Sequence, residues 1–149
     1  MMKLFALLAF MFFSISVMAQ YPVTWTYSAK KIADKKFEIQ LVANMQPGWH
    51  LYSQKQPDDF IAIPTSFDFS SNPLVSFEGG LKEVGKMEKF KDSKLGISAN
   101  QYANTVKFIQ IVKLKANVKT NLVGKVEFQT CDDKKCLPPK TNNFTIALN

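Results

Sequence analysis

Apolar and polar residues alternate along several short segments of the chain. Residues 23–27 read VTWTY and residues 37–43 read FEIQLVA, with apolar side chains at alternate positions. This spacing is typical of a β-strand with one face on a core. Further strand candidates are residues 49–52, 61–69, 74–77, 126–130 and 144–148. No segment sustains the period of a helix, so the pattern predicts an all-β fold, an immunoglobulin-like sandwich of two sheets.

The strongest apolar run is residues 106–114, VKFIQIVKL. Its alternation slips between Phe108 and Ile109, which predicts either a central strand with both faces covered or a β-bulge.

Residues 79–104 do not follow this pattern, because they are rich in glycine and lysine and alternate poorly. Long loops in compact domains are usually functional or disordered, so one interpretation is a loop that covers a site as a lid. The other is an exposed connection with a short strand around residues 81–84. The sequence leaves both open.

The first 19 residues have the composition of a secretory signal peptide. Lys3 precedes an apolar run over residues 4–13, and small residues end at Ala19. The apolar run is shorter than the roughly 20 residues that a membrane-spanning helix needs. We therefore expect cleavage after Ala19, no membrane span in the mature chain, and one exported domain over residues 20–149. An exported chain meets an oxidising environment, where two cysteines can pair.

Charge argues against a nucleic-acid-binding protein. All the cationic side chains are lysines, with no arginine, and the residues from 20 onwards carry 18 lysines against 12 acids. Nucleic-acid readers depend on the bidentate guanidinium, and these lysines are scattered along the chain. We interpret the charge as a solvated surface with some preference for acidic partners.

The two cysteines, Cys131 and Cys136, lie in the segment TCDDKKCLPP. A metal site needs about four ligands, and beyond these cysteines the chain offers His50 and carboxylates, which argues against a metal centre. A structural disulfide is the default for an exported pair. However, closing a six-residue loop stabilises a fold by only about 2 kcal/mol, against about 3 kcal/mol for a fifteen-residue loop.

A redox-active pair is the competing interpretation. If residues 126–130 form a strand and Asp133 lies near a turn, the cysteines face each other at the end of a hairpin near the surface, where disulfides exchange more readily. Pro138 and Pro139 stiffen the outgoing segment and remove two backbone donors, as suits a contact surface. Neighbouring aspartates raise the pKa of a thiol and neighbouring lysines lower it. The sequence therefore does not predict whether the net effect makes the thiols more or less nucleophilic. The residues alone favour the redox interpretation only slightly.

The segments FQTCDDKKCLPPKT and PGWHLYSQK resemble the N-terminal periplasmic domain of the DsbD-type thiol:disulfide interchange protein family. The resemblance covers the chain from residue 20 onwards and implies an immunoglobulin-like sandwich in the periplasm. It further implies that a thioredoxin-like domain or protein supplies reducing equivalents. Periplasmic thiol proteins, such as a disulfide isomerase or cytochrome c maturation factors, would receive them.

The resemblance also assigns roles to residues. It implies that Cys136 forms mixed disulfides with partners and that Cys131 resolves them. It places a cap-loop phenylalanine at Phe90, and His50 and Tyr52 where the family has aromatic residues near the cysteines. The 149 residues include neither the membrane domain nor the thioredoxin-like domain of the family, so we expect either a separate electron donor or a role that differs from that of the family.

Two hypotheses follow. The first is a periplasmic thiol:disulfide oxidoreductase that relays electrons through Cys131 and Cys136 with no cofactor beyond these cysteines. The second is an exported immunoglobulin-like binding module whose short disulfide is purely structural.

Overall fold

The computed structural model describes residues 20–149, so the predicted signal peptide over residues 1–19 lies outside the described part of the chain. Residues 20–149 form eleven strands: β1 (Val23–Ala33), β2 (Lys36–Met45), β3 (His50–Tyr52), β4 (Ser66–Phe69), β5 (Val75–Val84), β6 (Met87–Asp92), β7 (Ile97–Ala103), β8 (Thr105–Leu114), β9 (Thr120–Phe128), β10 (Thr130–Cys131) and β11 (Lys140–Leu148). Residues 20–149 contain no helix long and apolar enough to cross a membrane.

Two antiparallel sheets enclose the main core, which confirms the predicted all-β, immunoglobulin-like sandwich. One sheet has the order β1-β2-β8-β5 and the other the order β11-β9-β4. Alternate residues of β2 and of β9 are buried, as the period of two requires. Aromatic rings join the sheets: the Trp25 ring on β1 lies 5.4 Å from that of Phe128 on β9, and the Tyr27 ring lies 4.9 Å from that of Phe144 on β11.

The irregular run over residues 106–114 is the central strand β8, which pairs with both β2 and β5. Its alternation is intact, because the buried Gln110 occupies a position that faces the core, opposite Ile39. The register shift lies in the neighbouring strand β5, between Glu78 and Lys82. There the Gln110 side-chain amide donates to the carbonyl oxygens of Glu78 (3.2 Å) and Gly79 (3.3 Å). A polar residue on the core face thus donates hydrogen bonds to backbone carbonyl groups at the bulge.

A third sheet, with the order β10-β3-β7-β6, extends the sandwich beyond the two predicted sheets. One of its faces contributes Leu51 and Tyr102 to the main core. Its other face carries a small separate cluster that contains Tyr52, Ala99 and Cys131. The third sheet therefore attaches the cysteines to the sandwich.

Two predictions of local structure are wrong. Residues 79–104 are neither a lid loop nor an exposed connection, because they form the end of β5 and the hairpin of β6 and β7. The strand expected around residues 81–84 is present as the end of β5. Five of the six residues of β6 are exposed, so nothing selects an alternation of apolar and polar side chains there. Of residues 61–69, only Ser66–Phe69 form a strand. Pro64, which precedes this strand, interrupts the predicted segment, because it lacks the backbone N–H that the hydrogen-bond ladder of a sheet needs.

Candidate functional site

The site is built on a hairpin that holds both cysteines. Cys131 ends β10 and is disulfide-bonded to Cys136, with the Cα atoms 4.0 Å apart. Backbone hydrogen bonds also close the turn: Asp132 N–H donates to the Lys135 carbonyl at 2.9 Å. The Asp132 carboxylate accepts from the N–H groups of Lys134 (2.8 Å) and Lys135 (2.7 Å). The turn is therefore held by its own hydrogen bonds as well as by the sulfur bridge.

The hydrogen bonds within the turn affect the ionisation of the Asp132 carboxyl group. The donors from the backbone of Lys134 and then of Lys135 hold the pKa of Asp132 below its ordinary value, because they stabilise the carboxylate. Asp132 is thus ionised at neutral pH and fixes the turn beside the disulfide.

The base of the hairpin is anchored to the third sheet. β10 pairs with β3, so that Cys131 lies opposite His50. The Thr130 hydroxyl donates to the His50 carbonyl at 2.8 Å, although the two residues are 80 positions apart in sequence. On the outgoing side, Leu137 N–H donates to the Thr130 carbonyl at 2.9 Å, and the Gln129 amide donates to the Leu137 carbonyl at 3.0 Å. These contacts fix both cysteine-bearing segments relative to the sandwich.

The two sulfur-bearing residues have different environments. Cys131 is buried, with 5% of its surface exposed, and packs with Tyr52 and Ala99. Phe60 covers the same cluster, and its ring lies 4.9 Å from that of Tyr52, edge to face. Burial in this cluster raises the pKa of the Tyr52 hydroxyl. Cys136, in contrast, is exposed, so it is the cysteine that a partner protein can approach.

A cavity of about 640 Å³ opens beside the disulfide, and both cysteines line it. Of the residues that the sequence singled out, His50, Tyr52 and Phe90 also line this cavity. Pro138 is exposed and does not line it. Outside the cysteine hairpin, four further residues border the cavity and were not predicted: Asp92, Leu95, Ile97 and Gln101. No sequence signal identifies these four, because the register of β6 and β7 brings them to the cysteines.

Phe90 lies on strand β6 and not in a loop, which corrects the expected cap loop. It is paired with Ala99 of β7 and remains 45% exposed. The turn between these strands is short: the Asp92 carboxylate accepts from the N–H groups of Lys94 and Leu95, and Gly96 adopts a positive φ of 67°. Phe90 thus stands at the rim of the cysteine cavity without sealing it.

A partly buried carboxylate supports the face of the third sheet that points away from the cysteine cavity. Glu83 of β5 accepts hydrogen bonds from the hydroxyls of Ser53 (2.7 Å) and Tyr102 (2.6 Å). The backbone N–H of Gln54 (2.7 Å) and its side-chain amide (3.1 Å) also donate to Glu83. Burial alone would raise the pKa of Glu83, but these hydrogen bonds outweigh burial and lower it. Burial, and then the Glu83 carboxylate, raise the pKa of Tyr102. This network joins the ends of β3 and β7 to the first sheet.

The chemistry available at this site is thiol:disulfide exchange. Within residues 20–149, no group of three or more His, Cys, Asp or Glu residues is placed to hold a metal ion. The cysteine pair forms a partly exposed disulfide on a β-hairpin, which defines the class of an immunoglobulin-like domain with a cysteine pair at its edge.

Comparison with known families agrees with this class. Residues 17–148 match the family described as "Thiol:disulfide interchange protein DsbD, N-terminal". The chain belongs to this family. Family membership and the bonded cysteine pair together support a thiol:disulfide interchange module.

Two solved structures resemble the chain. The N-terminal periplasmic domain of ScsB from Proteus mirabilis aligns with a TM-score of 0.52 at 19% identity, and the alignment covers 85% of this chain and 44% of that one. This chain thus spans less than half of that structure. The DsbD N-terminal domain of Neisseria meningitidis, in its reduced form, aligns with a TM-score of 0.46 at 17% identity, covering 84% of this chain and 86% of that one. No curated protein matches the sequence significantly.

Proposed function

We propose that residues 20–149 form a periplasmic thiol:disulfide exchange domain that relays reducing equivalents through the Cys131/Cys136 pair. One observation carries this proposal: an exposed Cys136 is bonded to a buried Cys131 on a turn that its own hydrogen bonds hold closed. Such a pair exposes one sulfur to a partner and keeps the other beside it for the second step of exchange.

Reduction of the domain proceeds in two displacements. A thiolate of the electron donor attacks the Sγ atom of Cys136, a mixed disulfide forms, and Cys131 leaves as a thiolate. The second thiolate of the donor then attacks the donor sulfur that is bonded to Cys136, and Cys136 leaves as a thiolate. The donor ends as a disulfide and this domain as a dithiol, so two electrons have moved. The cysteines themselves carry the electrons, and no cofactor takes part.

Delivery to the acceptor is the reverse sequence. The Cys136 thiolate attacks the disulfide of the acceptor protein, and Cys131 then attacks Cys136 to release the acceptor as a dithiol. We propose a thioredoxin-like domain or protein as the donor. As acceptors we propose periplasmic thiol proteins, either a disulfide isomerase or a cytochrome c maturation protein.

Phe90 has a proposed role in this exchange. It lines the cavity of the disulfide at its rim. An apolar side chain at the rim slows the approach of small oxidants and thiols to the sulfur atoms, while a docked partner protein displaces it. His50 and Tyr52 form the opposite part of the wall, beside Cys131. Pro138 is proposed to stiffen the segment after Cys136.

Mixing the oxidised domain with an equimolar reduced thioredoxin-type protein tests the proposal. Free thiols are then counted after acid quenching and alkylation. Appearance of two thiols on the domain, with loss of two on the thioredoxin, is the expected result. If the domain keeps its disulfide while the same thioredoxin reduces insulin, the disulfide is a structural link, and the chain is a binding module of the alternative class.

A further inference from the structure

A second and larger groove lies on the other side of strand β6, away from the cysteines. Its volume is about 910 Å³, and segments from β5, β6, β7 and the chain after β3 line it. Side chains alternate along β6, so Lys89 and Lys91 lie on one face of the strand, whereas Phe90 and Asp92 lie on the other face. Strand β6 thus separates the groove from the cysteine cavity.

The groove is strongly cationic. Four lysines line it: Lys55, Lys82, Lys89 and Lys91. None of them lies within ion-pair distance of a carboxylate in residues 20–149, where the ion pairs involve Lys35, Lys36 and Lys125. The single acid in the lining is Glu83, whose oxygens are already occupied by four hydrogen bonds. The groove therefore has positive charge without a partner and favours an anionic ligand.

The groove also has apolar walls. Leu81, Met87 and Pro57 border it, and Met87 is 43% exposed. A carboxylate on an aliphatic stem, such as a glutamate side chain, fits this lining better than a small inorganic anion.

Strand β6 indicates that the ligand is a polypeptide. Among residues 20–149 it is the last strand of the third sheet and pairs with β7 alone, so within this part of the chain its outer edge has backbone N–H and C=O groups without a strand partner. An extended segment of another protein can add to such an edge through main-chain hydrogen bonds. In an added strand, side chains facing the groove would lie opposite Lys89 and Lys91, and the alternate ones would lie beside Phe90.

We propose that the free edge of β6 and the adjacent groove bind an extended acidic segment of the exchange partner. Its carboxylates pair with Lys89 and Lys91, and its alternate apolar side chains pack beside Phe90. This inference rests on the proposed exchange function, because it gives the partner a second contact besides the mixed disulfide. Such a contact raises the effective concentration of the partner thiol at Cys136 and makes the domain selective for partners with an acidic strand.

The test uses a cysteine-free peptide of about eight residues, alternating glutamate and valine, a length chosen to span the six residues of β6. The peptide is titrated into the disulfide form of residues 20–149 by calorimetry, and amide hydrogen exchange is followed along β6. We expect saturable binding and slower exchange of the β6 amides. A peptide of alternating lysine and valine is expected not to bind.

Matched charge reversals locate the site. Lys89→Glu/Lys91→Glu is expected to weaken binding of the acidic peptide about tenfold or more. Lys115→Glu/Lys119→Glu changes the net charge equally at two exposed positions outside the groove and is expected to leave binding unchanged. Equal weakening in both variants, binding of the lysine peptide, or binding only to anionic phosphatidylglycerol vesicles would each overturn the proposal. Since the peptide has no thiol and the disulfide stays closed, these results are independent of whether the domain exchanges disulfides.

Discussion

Cys131 and Cys136 share one disulfide bond but differ in solvent exposure, since Cys131 is 5% exposed and Cys136 lies at the surface. Exchange requires a nucleophile to approach one sulfur in line with the bond, so accessibility selects the sulfur that is attacked. In the proposed exchange, this asymmetry predicts that Cys136 contacts the partners and that Cys131 resolves the mixed disulfide.

The first prediction follows from this asymmetry. Cys131→Ala is expected to accumulate a mixed disulfide between Cys136 and a thioredoxin-type protein, because Cys136 is reachable and no resolving thiol remains. Cys136→Ala is expected to accumulate far less, because Cys131 lies beneath Tyr52, Ala99 and Phe60. Non-reducing gel electrophoresis of the two mixtures measures this. A stronger trap in Cys136→Ala would reverse the two roles.

The second prediction concerns the stability of the reduced domain. The Asp132 carboxylate also holds the turn between the cysteines, and we expect its hydrogen bonds to persist after reduction. The loop that the disulfide closes is also short, so reduction is expected to lower the free energy of unfolding by no more than about 2 kcal/mol. Urea unfolding of the oxidised and reduced forms, followed by circular dichroism, measures the difference. Unfolding on reduction at room temperature would favour a structural disulfide.

The third prediction concerns Phe90. Phe90→Ala is expected to speed the reaction of the disulfide with a small thiol several-fold, because it widens the rim of the cavity. Its effect on the free energy of unfolding should stay well below the cost of about 3 kcal/mol for truncating a buried phenylalanine, since Phe90 is 45% exposed.

Phe77→Ala is the matched control for Phe90→Ala. Phe77 is 44% exposed, lies on β5 and does not line the cysteine cavity, so its loss should leave the reaction rate unchanged. Equal rates in Phe90→Ala and the wild type would remove the covering role, and a large loss of stability in Phe90→Ala would make it a core residue.

The fourth prediction concerns pH and the Glu83 network. The folded state lowers the pKa of Glu83 below its ordinary value of 4.5. Its contribution to stability is therefore fully present above that value and is lost as the pH falls through the lower pKa of the folded state. Glu83→Gln cannot ionise, so its stability should fall less steeply between neutral and acidic pH than that of the wild type.

At neutral pH the same variant should be less stable by about 1 kcal/mol, because hydrogen bonds to a charged carboxylate are replaced by weaker ones at a partly solvated site. Urea unfolding at pH 7 and at successively lower pH compares the two proteins. Parallel pH profiles would show that Glu83 does not contribute in this way.

The sequence predicted those parts of the fold in which one face of a strand is buried. Residues 37–43 lie within β2, whose alternate side chains are in the core, and the pattern FEIQLVA records that burial directly. Strand β6 has no such signal, because its residues are almost all exposed and its position comes from pairing with β7. The third sheet was not predicted as a unit. Residues 49–52 were expected to form a strand and contain β3, but the pattern of this short segment does not record its pairing with β7 and β10.

The sequence likewise predicted only part of the candidate site. Local spacing placed Cys131 and Cys136 on a hairpin, and the structure brings them together there. The contact of Cys131 with Tyr52, and of both with Phe60, depends on strand pairing between segments far apart in the chain. Periodicity within one segment contains no information about such pairing. The lysine groove likewise exists only because β5, β6 and the segment after β3 meet in space.

The reduction potential of the Cys131/Cys136 couple tests the central claim most directly. The purified domain is equilibrated with thioredoxin and with glutathione buffers of known potential, and the fraction reduced is measured by alkylation. A relay must be reducible by a thioredoxin-like donor, so its potential is expected to lie at or above that of thioredoxin, about −270 mV. A potential below about −300 mV, the range of structural disulfides in secreted proteins, would contradict the relay.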